Sequence, residues 1–295
     1  MKTAVGAEPT GGSNPSPSAI KNKMKKPKVI LITGASSGIG RACALYLSSF
    51  GHHVYGTSRR AEFPGETASF PVMIPMDVTS EESVSKAVRF ILEKEGRIDV
   101  LINNAGYGLA GAVEDTTYEE ALQQFETNFF GAHRVIKHVL PSMRERKSGM
   151  IINISSIAGL IGLPFQPFYS ASKFALEGLS EALMHEIKPF NIKVVLVEPG
   201  DLKTEFTDRR TIAKLGLHSP YTEQMKITLA VAERDERQGA PPEEVARTIA
   251  RIISSTNPKP RYRTGPFYEK LAVFLKRLLP ERVFLWAIRK YYRIP

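Results

Sequence analysis

One segment near the start does most to fix the class of fold. Lys28-Val-Ile-Leu-Ile-Thr33 reads as a short apolar strand that runs directly into Gly34-Ala35-Ser36-Ser37-Gly38-Ile39-Gly40. A helix follows through Phe50 and closes at Gly51. Gly34, Gly38 and Gly40 permit a tight turn and close backbone approach, and the helix start offers free N–H groups to an anion. The spacing is Gly-x-x-x-Gly-x-Gly. Placed between a first strand and a first helix, such a loop suits the pyrophosphate of a dinucleotide.

The alternation then repeats. His53–Ser58 reads as a second strand, Phe70–Met76 as a third, with a helix starting near Ser80. Ile98–Ile102 leads into Asn103-Asn104-Ala105-Gly106. Ile151–Ile154, Ile192–Val197 and Pro260–Thr264 complete the set. Strands alternating with helices in this way predict a parallel sheet covered on both faces: an α/β, doubly wound, Rossmann-type single domain. A long helix from about Tyr118 to Met143 carries Asn128 in its middle, where an amide is unfavourable without a task such as holding a water at a bent backbone.

At the end of the second strand stand Ser58, Arg59 and Arg60. A dinucleotide site that prefers NAD places a carboxylate there for the ribose hydroxyls. Guanidinium groups instead suit a 2′-phosphate, so NADP(H) is expected.

The chemistry is expected in Gly149–Leu179. Ser155 and Ser156 follow the strand, and Tyr169 and Lys173 are four residues apart on the next helix, hence on one face. At ~4 Å and an effective dielectric of ~20, an ammonium attracts a phenolate by about 4 kcal/mol, enough to move a phenol toward neutral pH. The constellation reads as proton transfer at a carbonyl.

Together, TGASSGIG, NNAG, Asn128, NISS with Ser156, YSASK and PGDLKT resemble the short-chain dehydrogenase/reductase family in order and spacing, over roughly Pro27 to Gly265. The stretch LPFQPFYSASKFALEGL is similar to the hydroxysteroid and retinol dehydrogenase branch. The resemblance implies that Gly34, Ser36, Ser37, Gly38, Ile39 and Gly40 surround the pyrophosphate. Asp77 and Val78 would border the adenine, and Asn104 with Ala105 and Gly106 the ribose side. Thr204, after Pro199-Gly200, would hold the carboxamide. It also implies Tyr169 as proton donor or acceptor, Lys173 as its partner and ribose ligand, Ser156 as the carbonyl-polarising donor, and Asn128 in a proton relay. A homodimer or homotetramer is implied as well. No metal is called for.

Leu109, Leu160, Leu163, Phe165, Phe168 and Phe206, with Ser156 and Tyr169, are expected to line a pocket for a lipophilic ketone or alcohol. Oxidation of a retinoid or steroid alcohol is the alternative, and a non-catalytic NADP(H) sensor a second one. The intact Asn128, Ser156, Tyr169 and Lys173 weigh against the sensor.

The net charge is +10. Residues 1–28 carry +5 and 259–295 carry +8, leaving a slightly negative body. With no recognised nucleic-acid motif, that balance weighs against a nucleic-acid partner. Residues 1–26 read as a disordered basic tail without the apolar run of a signal peptide. One cysteine, Cys43, rules out an internal disulfide and fits a reducing, cytoplasmic setting. The catalytic domain is expected over 27–265, with a polar, weakly helical lid at about 201–240. In the extension, 266–295, Phe267, Leu271, Phe274 and Leu278 recur at helical spacing, and Phe284 and Ile288 resume the pattern beyond Pro280. This stripe is expected to fold back on the body, leaving at most peripheral membrane contact.

Overall fold

The computed structural model describes residues 26–61 and 71–295. The basic tail and Phe70 therefore lie outside the described residues, save for Lys26.

Seven strands form one parallel sheet in the order β3-β2-β1-β4-β6-β7-β9. They are β1 (Val29–Ile32), β2 (His53–Ser58), β3 (Val72–Pro75), β4 (Val100–Asn103), β6 (Gly149–Ile154), β7 (Ile192–Pro199) and β9 (Arg261–Thr264). Two short strands, β5 (Leu109–Ala110) and β8 (Thr211–Ile212), pair beside it. Period-two alternation sends Ile30 and Ile32 to one face, against Ala42, Cys43 and Leu47 of α1 (Gly38–Ser48) and Ile249 of α7 (Glu243–Ser254). Val29 and Leu31 face the opposite layer of α2 (Glu81–Glu95), α4 (Gly131–Glu145) and α5 (Pro167–Glu186). Burial pushes the Cys43 thiol up to about 12, which makes it a core residue and a poor nucleophile.

The long helix expected from Tyr118 is α3 (Tyr118–Phe125) and α4, joined through a π turn at Glu126–Phe130 that contains Asn128. It starts on a capping box between Thr117 and Glu120. The order of strands reverses between β1 and β4, the place where open α/β sheets take ligands.

Two sequence expectations need correction. The 201–240 stretch is more regular than its polarity predicts, because it contains the helix α6 (Thr222–Gln238) with Met225, Leu229 and Val231 buried. The extension forms α8 (Phe267–Leu278) and α9 (Glu281–Tyr291), which do pack on the body, through Phe284 and Ile288 of the expected stripe but not through its α8 half. Val273 and Phe284 are the buried contacts, against Ile157 and Ile161, while Phe267, Leu271, Phe274 and Leu278 are exposed. Both faces of α8 carry apolar residues, so helical periodicity alone does not say which one meets the domain.

Candidate active site

The carboxyl ends of β1, β4, β6 and β7 open into a cavity of about 1660 Å3. Gly34 and Gly38 adopt positive φ, +66° and +50°, in the loop after β1. Gly40 lies behind the wall: a Cβ there would stand 2.4 Å from the Gly34 carbonyl oxygen, so only glycine lets α1 start this close. Asn104 closes the loop from β4, donating to the carbonyl oxygens of Thr33 and Gly34 at 2.9 and 3.1 Å. Ser36, Ser37, Ile39, Ala105 and Gly106 line the same end.

Ser58, Arg59 and Arg60 reach the cavity from the end of β2, with Asp77 and Val78 opposite. Asp77 is held by its own turn, its carboxylate accepting from the Thr79 N–H and hydroxyl at 2.9 and 2.8 Å. Pro199, Gly200 and Thr204 follow β7 on the far side.

Tyr169 is buried on α5 at the cavity wall, its ring 5.5 Å from that of Phe206. Ser156 caps the short helical turn Ile157–Gly159, accepting the Ala158 N–H at 3.1 Å, and hydrogen-bonds the Tyr169 phenol. The Ser155 hydroxyl is sealed from solvent. Lys173 Nζ donates to the carbonyl oxygen of Ile154 at 2.9 Å and lies 5.9 Å from the centre of the Tyr169 ring.

The phenol moves the other way from the sequence expectation. Burial pushes Tyr169 up to about 12, and the Ser156 hydrogen bond only partly opposes this. Lys173 is itself lowered to about 8 by burial. Desolvation is the largest cause at both groups.

Asn128 does not line the cavity. It clamps the Tyr107 peptide, accepting its N–H at 3.1 Å and donating to its carbonyl at 3.0 Å, and also donates to the Ser172 hydroxyl at 3.3 Å.

Of the apolar residues expected at the substrate, Leu109, Leu163 and Phe206 line the cavity and Leu160, Phe165 and Phe168 do not. Leu160 packs under α8 and α9 with Ala272 and Leu279. Phe165, at φ +58°, turns onto Ala110, Met225 and Leu229. Phe168 precedes Tyr169 on α5, and the ~100° rotation per helical residue carries it off that face.

The short chain dehydrogenase profile matches residues 28–214 of this chain. The chain belongs to that family. A 3-ketodihydrosphingosine reductase of Bacteroides thetaiotaomicron is 48% identical over 270 residues, 91% of this chain and 99% of that one. A retinol dehydrogenase 8 of Bos taurus is 37% identical, the match covering 86% of each. A short-chain dehydrogenase from Streptomyces avermitilis superposes with a TM-score of 0.76 at 36% identity, covering 91% of this chain and 98% of that structure.

Short-chain dehydrogenases carry a nicotinamide dinucleotide, and the residues here fit one. The Gly38 N–H at the α1 terminus already takes an anionic oxygen, the Glu205 carboxylate at 3.1 Å. Gly34, Gly38 and Asn104 line the cavity around it.

The cavity also has a wall that the motifs did not reveal. Ala272 and Leu275 of α8, Leu279 just after it, and Ala287, Ile288 and Tyr292 in and just after α9 complete it. Their only sequence signal was the helical recurrence of apolar residues, which fits ordinary packing equally well.

Proposed function

We propose that this chain uses NADPH to reduce a lipophilic ketone to a secondary alcohol. The observation that carries the reading is the Ser156–Tyr169 pair, hydrogen-bonded to each other at the cavity wall with Lys173 held by Ile154 one turn along α5. The buried phenol, pushed up to about 12, holds its proton at neutral pH, and its place beside Ser156 lets it give that proton to a carbonyl oxygen as negative charge develops there. Ser156 donates to the same oxygen. Lys173, fixed by Ile154, serves the ribose and the phenol, and Asn128 holds the backbone of the relay. When bound, the cofactor supplies the hydride. Arg59 and Arg60, with no carboxylate at the end of β2, support NADPH.

For the substrate we favour a ketone with a long alkyl chain and an amino group, the kind of molecule specified in the name of the Bacteroides relative. Leu163, Ile161, Leu275 and Ile288 offer an apolar wall for the chain. Asp201, Glu236 and Glu269 border the same cavity. Burial raises both Asp201 and Glu269, with the Glu269 charge raising Asp201 further and the Asp235 charge raising Glu269, and an ammonium beside them would offset that negative charge. Exposed Tyr118, Leu122 and Phe130 along α3 and the π turn support assembly into a homodimer or homotetramer.

The test is NADPH consumption by the purified chain with a long-chain amino ketone, the same ketone lacking nitrogen, a steroid ketone and retinal. The amino ketone should give the highest kcat/KM. Absence of turnover with every ketone would overturn the reductase reading, and equal rates with and without nitrogen would overturn the amino-ketone reading.

A further inference from the structure

The helices that close the cavity are apolar on two sides. Inward, Val273 and Phe284 seat α8 and α9 on Ile157 and Ile161. Outward, Phe267, Leu271, Phe274 and Leu278 stand at four-three-four spacing in a row along α8, from 40% exposed at Leu271 to 77% at Phe267. On α9, Val283, Leu285 and Trp286 are likewise exposed. Lys270 and Arg277 fall within the α8 row, and Arg282, Arg289 and Lys290 surround Trp286 on α9. Among the described residues no salt bridge engages these five cations, whereas Arg261 and Arg263 just upstream are paired with Glu177, Glu181 and Glu198. Of the two acids in the helices, Glu269 turns inward to accept the Asp201 N–H, which leaves Glu281 alone outside.

We infer that this face docks the protein on an anionic phospholipid bilayer, with α8 and α9 lying in the interface. Apolar side chains flanked by cations, with one tryptophan among them, match the acyl boundary beneath anionic headgroups. The aliphatic stems of Lys and Arg can run along the apolar row while their charges stay at headgroup level. Among the described residues no helix is long and apolar enough to cross a membrane, so the contact is interfacial. A second copy of this chain is the poorer occupant, because two-fold pairing through this face would set its cations against themselves. Docking stands independently of the proposed reaction. Together with that reaction, it places the inner side of the same helices where a lipophilic ketone can enter from lipid.

Trp286 is the only tryptophan in the sequence and is 55% exposed, so the intact chain carries its own reporter. Its emission should shift to the blue and be quenched by brominated acyl chains when phosphatidylcholine vesicles containing phosphatidylglycerol are added. The protein should co-float with them, with partitioning reduced about tenfold or more in ~1 M salt. Phe274→Ser with Leu278→Ser, and separately Lys270→Glu with Arg277→Glu, should abolish flotation while leaving melting temperature and NADPH binding intact. Unchanged emission with no flotation of the unmodified chain would overturn the inference. So would Trp286 emission that is blue-shifted without vesicles and reverts on dilution, the sign of a second copy on this face.

Discussion

Lys173 on α5 donates its ammonium to the carbonyl oxygen of Ile154, the last residue of β6, at 2.9 Å. The bond ties α5 to the strand that delivers Ser156. Because burial holds the ammonium near 8, turnover should decline as pH rises through about 8 and the charge is lost. Lys173→Ala should lower kcat by about a hundredfold or more. It should also destabilise the fold by about 1–3 kcal/mol, since it leaves the Ile154 carbonyl unpaired. Denaturant titration beside steady-state kinetics measures both.

Tyr169→Phe should remove about 10²–10⁴ of the rate, because it deletes the proton donor. The ring and its contact with Phe206 at 5.5 Å remain, so NADPH binding and melting temperature should hold. Retention of more than about a tenth of the rate would contradict the assignment.

Arg59→Ala with Arg60→Ala should weaken NADPH about ten- to a hundredfold and leave NADH nearly unchanged. Both guanidiniums border the cavity at the end of β2. Calorimetric titration with each cofactor decides. Equal affinities in the unmodified chain would exclude the 2′-phosphate contact.

Glu205 occupies the N-terminus of α1 through the Gly38 N–H at 3.1 Å, and its neighbour Arg209 donates to the Ser37 hydroxyl at 2.7 Å. The carboxylate competes with a pyrophosphate for the same donor. Glu205→Ala should therefore tighten NADPH by about two- to fivefold, the usual size of one charge at a helix end. A weaker complex would mean that Glu205 assists the cofactor.

Glu177 lies four residues beyond Lys173, 2.9 Å from Arg261, with Glu198 and Glu181 also near. Burial outweighs that guanidinium and raises its carboxyl from 4.5 to about 7. In that window the folded chain binds more protons than the unfolded chain, so stability falls as pH rises from about 4.5 through 7. Glu177→Gln should flatten the melting-temperature profile over this range. A profile unchanged by the substitution would show that Glu177 is ionised throughout.

Much of this site is legible in the sequence because its geometry is local. The loop after β1, the four-residue step from Tyr169 to Lys173 and the placement of Asn128 within a long helix depend on short-range backbone rules. Leu160, Phe165 and Phe168 lie in the same short stretch, yet they point elsewhere. Their directions depend on the turn before α5 and on what packs against it.

Residue order alone dictates the alternation of strands and helices, hence the doubly wound sheet, and the glycine, serine, tyrosine and lysine that gather at its switch point. These follow from period-two and period-3.6 patterns and from chain continuity. Which apolar face of α8 and α9 closes the cavity is settled by packing. That choice depends on the shape of Ile157 and Ile161, more than a hundred residues away in the chain. Packing also decides the direction in which Tyr169 titrates. Desolvation is the sum of everything packed around a group, while a neighbouring charge such as Lys173 is visible in four residues of sequence.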